Sequence, residues 1–330
     1  RLPEAAGEAI FVAKGLARPW LAIVVGLAVV AAGTVSAAAV LRGGTGYLTT
    51  VVDLPFSATA LVMGLFLVGV AMAGVLESLS VAAIFTAIEV AGLALVVWAG
   101  AGGEPVADYS APPAIVWSGV ASAAVLAFFA FIGFEDIVNM AEEVRDPTHT
   151  LPRAILLALV ITSLLYMLVS WAAVRVVPLE TLSQSEQPLA LVWSHGRGGG
   201  VEFLSIIAVA AAMNGILAQI VMASRVLYGV GKRSAWLSVF HHAHPRFGTP
   251  LLATGLIGAL VIGMAVLLPV AQLAEATSAI LLSVFVLVNA ALIAIKRQAP
   301  EAPFRVHMAV PVIGLVGSLA ALAISFGVGA

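Results

Sequence analysis

Cysteine is absent from all 330 residues, which excludes a disulfide frame, a thiolate nucleophile and a Cys-ligated zinc site. Charge is scarce as well. Asp, Glu, Lys and Arg together make up 10% of the chain, against about 25% in a soluble domain, so most of this surface cannot face water. The formal net charge of −2 is too near neutral to attract nucleic acid. No HExxH occurs, and none of the 6 histidines falls inside a long apolar run. An intramembrane hydrolase would need a metal centre or a nucleophile–base pair, so neither an enzyme nor a cofactor is expected. His241, His242 and His244 share a basic connector without the i, i+4 spacing of a zinc helix, and no metal site is expected there.

What the chain has instead is hydrocarbon. Hydrophobic residues reach 62% and the mean hydropathy is +1.12. A bilayer core of about 30 Å needs about 20 apolar residues per helix. Nine segments meet that standard: roughly 19–41, 55–75, 80–101, 114–139, 152–175, 201–229, 250–269, 272–295 and 308–328. None alternates apolar and polar residues as a membrane-barrel strand does. The expected fold class is therefore an all-α polytopic membrane protein with about nine transmembrane helices.

The basic residues orient it. With residues 1–18 in the cytoplasm and the sides alternating from there, only Arg42, Arg175 and Arg197 of the 15 Lys and Arg fall outside. That is a strong positive-inside bias, and the reverse topology would invert it. Trp20, Trp98, Trp117 and Trp171 lie near predicted helix ends, where an amphipathic ring prefers to sit. The connector at about 176–200 carries the run GRGGGV. It lacks the lysine and strand–helix context of a phosphate loop and reads as a flexible external loop.

Ionisable groups inside a span cost at least about 2.5–3.5 kcal/mol each near mid-depth, so they are functional candidates by default. Glu89 has apolar flanks for two turns and needs a partner, a cavity or a proton. Glu135 and Asp136 lie in the inner half of the fourth span. Asn214 and Gln219 sit mid-span in the sixth, where hydrogen bonding to a neighbouring helix is the plain alternative. Glu275 reads as interfacial.

The segment FFAFIGFEDIVNMAEEVRDPTHTLPRA, residues 128 to 154, carries the main reading. Gly133 lowers the cost of leaving helical geometry, and FAFIGFE adds aromatic walls and a carboxylate. Non-helical backbone at membrane depth is tolerated only where it lines a cavity or is buried in protein. In transporters such breaks hold the substrate. A continuous helix with one tolerated glycine is the alternative. In the loop that follows, Asp146–Pro147 makes a turn, and Thr150 is placed to cap the next helix with Pro152 in its first turn.

This segment resembles the sixth-helix and following-loop signature of the amino acid–polyamine–organocation permeases: an F-x-A-F-x-G-F-[ED] core, A-E-E, a D-P turn, then P-R-A-I. MASRVLYGVGKRSAWLSVFHHAHPRFGTP is similar to that family's eighth helix and its cytoplasmic loop, and RLPEAAGEAIFVAKGL to the P-x-A-G-G-E-Y segment ending helix two. The resemblance covers the whole chain. It implies a single permease domain over 1–330 with a partial five-plus-five inverted-repeat (LeuT-like) transporter fold. The nine spans would be helices three to eleven, lacking helix one, most of helix two, and helix twelve.

By the same resemblance, the function is secondary transport of an amino acid or related amine across the plasma membrane by alternating access, proton-coupled or exchanging. A channel or a non-transporting amino-acid sensor is the alternative. The break from Phe129 through Ala130, Phe131, Ile132 and Gly133 to Phe134 would bind substrate, with the carbonyls of Phe129, Ala130 and Ile132 holding its ammonium. Glu135 matches an acidic position linked to gating or proton coupling. Glu89 falls where several proton-coupled members carry a lysine, so it would have to cycle its own proton. Ala210, Ala211 and Ala212 offer no oxygen where sodium-coupled relatives of the fold place hydroxyls. Asn214 is a candidate polar contact on helix eight. The expected partners are the substrate, a proton and the lipid bilayer.

Overall fold

A computed structural model describes residues 7–74, 79–106, 115–134, 144, 146–298 and 306–327. Among the described residues every regular element is helical. The helices are α1 (Gly7–Gly15), α2 (Trp20–Leu48), α3 (Phe56–Ala73), α4 (Leu79–Gly102), α5 (Trp117–Ala130), α6 (Pro147–Val176), α7 (Leu179–Gln184), α8 (Pro188–Arg197), α9 (Glu202–Arg233), α10 (Leu251–Leu267), α11 (Val270–Gln298) and α12 (Ala309–Ser325), with a 3₁₀ turn at Ala235–Phe240. Six of them, α2, α3, α4, α6, α9 and α11, are long and apolar enough to cross a membrane. Three shorter apolar helices, α5, α10 and α12, fill the remaining predicted segments.

Helix α2 is the axis of the bundle and packs against α1, α3, α9, α10 and α11. Its buried face is built of small residues, with Ala37, Ala38 and Ala39 essentially inaccessible beside Leu41. Lipid tails are as apolar as leucine, so helices in a membrane associate through close packing and not through escape from water. The α3–α10 pair is the clearest case. A Cβ at Gly64 would sit 2.5 Å from Ile262 of α10, and one at Gly258 would sit 2.3 Å from Val68 of α3. Each glycine is the hole for the other helix's branched side chain. Gly258→Leu is expected to destabilise the purified protein by about 1–3 kcal/mol, read as a lowered unfolding midpoint in detergent; an unchanged midpoint would show that the pair can part without cost. A second core joins α4, α6 and α8 through Val96, Ala173, Val176 and Val192.

The structure moves several expected boundaries. Helix α2 continues past Arg42 to Leu48, because the guanidinium reaches out to the Ala265 carbonyl at 3.0 Å and lies over the Phe56 ring. Helix α6 starts at Pro147, with Asp146 in the N-cap position. Thr150 therefore does not cap it: its N–H already donates to the Asp146 carbonyl at 3.0 Å. Pro152 is inside the helix instead of in its first turn. The 176–200 connector carries two short helices, α7 and α8, before its glycine turn.

Arg42, Arg175 and Arg197 gather at one end of the bundle. Arg42 pairs with Glu186 at 3.4 Å, and Arg175 donates to the carbonyls of Gly100 and Gly103 at the end of α4. Arg197 stacks on Trp98 beside the same helix end. The opposite end is closed by the 240–250 loop, where Thr249 donates to the Met72 carbonyl at 2.7 Å.

Candidate functional site

Helix α5 is 14 residues long, about 21 Å, and so stops well short of a hydrocarbon core about 30 Å thick. Its last turn tightens: the N–H of Phe131 donates to the Phe128 carbonyl at 3.0 Å and that of Ile132 to Phe129 at 3.2 Å. Residues 131–134 then form turns, with Gly133 at φ +115°. A side chain rarely adopts that backbone conformation, which is why glycine stands there. A Cβ at Gly133 would meet nothing within 4 Å, so the constraint on this position is conformational and not steric crowding.

Aromatic rings hold the break from both sides. Phe128 and Phe134 both rest on Phe285 of α11, with ring centroids 5.9 Å and 5.8 Å away. Phe131 packs edge-on against Tyr166 of α6 at 5.3 Å, and Phe129 packs on the main core. The Tyr166 hydroxyl donates to the Ala130 carbonyl at 3.0 Å. Thus the carbonyls at the break are unequal. That of Phe129 accepts from Ile132, that of Ala130 accepts from a side chain on another helix, and that of Ile132 has no donor among the described residues.

Tyr166 links the break to the two polar groups of the neighbouring helices. Glu89 of α4 lies within electrostatic reach of its hydroxyl and faces the Asn214 side-chain amide of α9. Helices α4 and α9 come close enough for this because Gly92 has no Cβ, which would otherwise sit 2.8 Å from Ile207. Glu89 is therefore half-buried and partnered, as a carboxylate among apolar side chains must be. On the other side of the break, Ile132 lines a small cavity of about 20 Å³ with Gln219, Gly33 and the buried Glu8, room for a single water molecule. Helix α9 thus offers Asn214 toward α4 and Gln219 toward α2.

The structure brings together Ala130, Phe131, Glu89 and Asn214, and sets Phe129, Ile132, Gly133 and Phe134 in the same turn. Glu135 and Asp136 lie outside the described residues. Tyr166 is the participant that sequence reasoning missed, because a phenol in an apolar span carries no charge to draw attention. Removing its hydroxyl by Tyr166→Phe is expected to cost about 0.5–1.5 kcal/mol of stability, seen as a lower unfolding midpoint; no change would mean the Ala130 carbonyl finds another donor. The His241 ring lies tilted against Tyr228, and that of His244 stacks on Phe247.

The family described as amino acid permease matches residues 2–330. The chain belongs to that family. The chain is 31% identical over 188 residues to the branched-chain amino acid permease BcaP of Bacillus subtilis, covering 57% of this chain and 40% of that protein. It is 26% identical over 265 residues to the methylthioribose transporter of the same organism, covering 80% and 57%. Against the vacuolar cationic amino acid transporter 2 of Arabidopsis thaliana it is 28% identical over 257 residues, covering 76% and 40%. The matched stretch of the chain therefore spans roughly 40–57% of the length of these curated relatives. Family and apolar helices together make this a multi-pass membrane protein of the amino acid permease family.

Proposed function

We propose that the permease is a secondary transporter that carries an amino acid or related amine across the plasma membrane by alternating access, in a five-plus-five inverted-repeat fold. The observation that carries this reading is the end of α5 at Ala130, which leaves the Ile132 carbonyl without a donor among the described residues, in a turn walled by aromatic rings. A substrate ammonium is a donor suited to such carbonyls, and the Ile132 carbonyl is the one best placed to receive it. The ring of Phe134 walls the same turn. Relatives named for branched-chain and cationic amino acids favour a substrate with an α-amino group.

Coupling to protons or exchange is favoured over sodium. Ala210, Ala211 and Ala212 bring no oxygen to the middle of α9, and Ala212 packs closely against Gly44 of α2. Glu89, held by Asn214, is the proposed proton carrier, with Glu135 as a second acid linked to gating. Transport, not covalent catalysis, is the reading throughout.

The test is uptake of radiolabelled amino acids by the whole protein in proteoliposomes. Saturable uptake at carrier rates, stimulated by an imposed pH gradient or by internal unlabelled substrate, supports the proposal. Substrate-dependent currents far above carrier turnover would make it a channel, and binding without flux would make it a sensor.

A further inference from the structure

At the end of the bundle that carries Arg42, Arg175 and Arg197, a shallow cavity of about 610 Å³ is lined by Trp98, Trp193, Arg197, Phe203 and the glycine turn 198–200. It lies away from the break at Ala130, and the proposed transport cycle makes no use of it. Its construction is specific. The Arg197 guanidinium lies flat on the Trp98 ring, 3.2 Å from the centroid, close to the site of a Cβ on Gly102. Trp193 stands 6.1 Å from Trp98 and edge-on to Phe203 at 4.9 Å. Its indole N–H donates to the Gly199 carbonyl at 3.1 Å. Gly198, Gly199 and Gly200 all take positive φ, with open space where their Cβ atoms would be. The turn therefore follows the indole and leaves the cavity unfilled.

Arg197 forms no ion pair with a carboxylate among the described residues, neither with Glu202 at the start of α9 nor with Glu104 just past the end of α4. A planar guanidinium stacked on an indole still presents its N–H donors outward in the ring plane, in a fork that suits phosphate oxygens. Beside the cavity, Trp98 and Ile206 are 53% and 56% exposed, so apolar surface continues from it toward the hydrocarbon. Two indoles at a helix end mark the headgroup level of a bilayer.

We propose that this cavity binds the phosphodiester headgroup of an anionic phospholipid in the leaflet opposite the basic face. Arg197 holds the phosphate, and the acyl chains run over Phe203 and Ile206. A zwitterionic choline headgroup fits less well, because the Trp98 face that would attract its ammonium is already covered by a cation.

The experiment uses the whole protein in phosphatidylcholine nanodiscs containing brominated phosphatidylglycerol or, at equal mole fraction, brominated phosphatidylcholine. Basic residues elsewhere on the protein, Arg175 beside Trp171 among them, also attract anionic lipid, so Trp20, Trp117, Trp171 and Trp236 are replaced by phenylalanine, which leaves Trp98 and Trp193 as the reporters. Brominated phosphatidylglycerol is expected to quench them about fivefold more effectively, the preference of one cationic contact at a membrane surface. Arg197→Gln brings that ratio to about one, and Arg197→Lys retains part of it. Equal quenching by the two lipids before Arg197 is altered overturns the proposal, and that comparison stands even where an Arg197 variant fails to fold. So does a preference that survives Arg197→Gln. Loss of the preference on adding inorganic phosphate would identify the occupant as a soluble anion instead.

Discussion

Gly133→Leu is expected to lower amino-acid uptake by the whole permease about 5- to 150-fold while leaving insertion and yield intact. The backbone at Gly133 stands at φ +115°, and holding any other residue there costs about 1–3 kcal/mol, which is the stated range of fold-changes. The variant escapes that cost by rerouting residues 131–134, and the Ile132 carbonyl turns away from the substrate. Because a Cβ at this position meets nothing within 4 Å, bulk is not the source of the effect. Gly133→Ala should therefore be nearly as harmful as Gly133→Leu. Initial rates of both variants beside an unaltered control decide the matter. Wild-type rates for both would mean that the turn is incidental to transport.

Glu89→Gln should separate coupling from binding. Glutamine keeps an oxygen that can accept from Asn214 and has nearly the same volume, but it cannot carry a proton. Under a pH gradient of about one unit, coupled to one proton, accumulation reaches about tenfold; in Glu89→Gln it is expected to collapse to about one. Exchange of internal for external substrate continues. Steady-state accumulation measured with and without the gradient tests this, and retained accumulation would transfer the coupling role to Glu135.

The nine apolar segments were legible because hydrocarbon thickness dictates their length, and eight of the nine helices begin within a few residues of the expected positions. Boundaries failed where a polar side chain could reach past the apolar run. Arg42 reads as a terminator, yet its guanidinium finds the Ala265 carbonyl and α2 runs on to Leu48. Helix α8 escaped notice because its buried residues, Ala190 and Val192, are too few to stand out in a glycine-bounded connector. In the site, Gly133 and Glu89 were visible as breaks in an apolar pattern, and Asn214 followed from depth. The contact of Tyr166 with the Ala130 carbonyl joins residues 36 positions apart and leaves no local mark in sequence. The same holds for Phe285, which clasps Phe128 and Phe134 from α11.

The absence of cysteine makes one measurement direct: a single thiol at Ile132→Cys, with no native thiol in this chain competing for label. In proteoliposomes, a membrane-impermeant maleimide is expected to alkylate that thiol from the aqueous side, and a saturating transported amino acid should slow the reaction about tenfold by occupying the break, a difference of about 1.4 kcal/mol in accessibility. A thiol that never reacts, or that reacts at one rate with and without substrate, would contradict the claim that the open turn after Ala130 is where the guest is held.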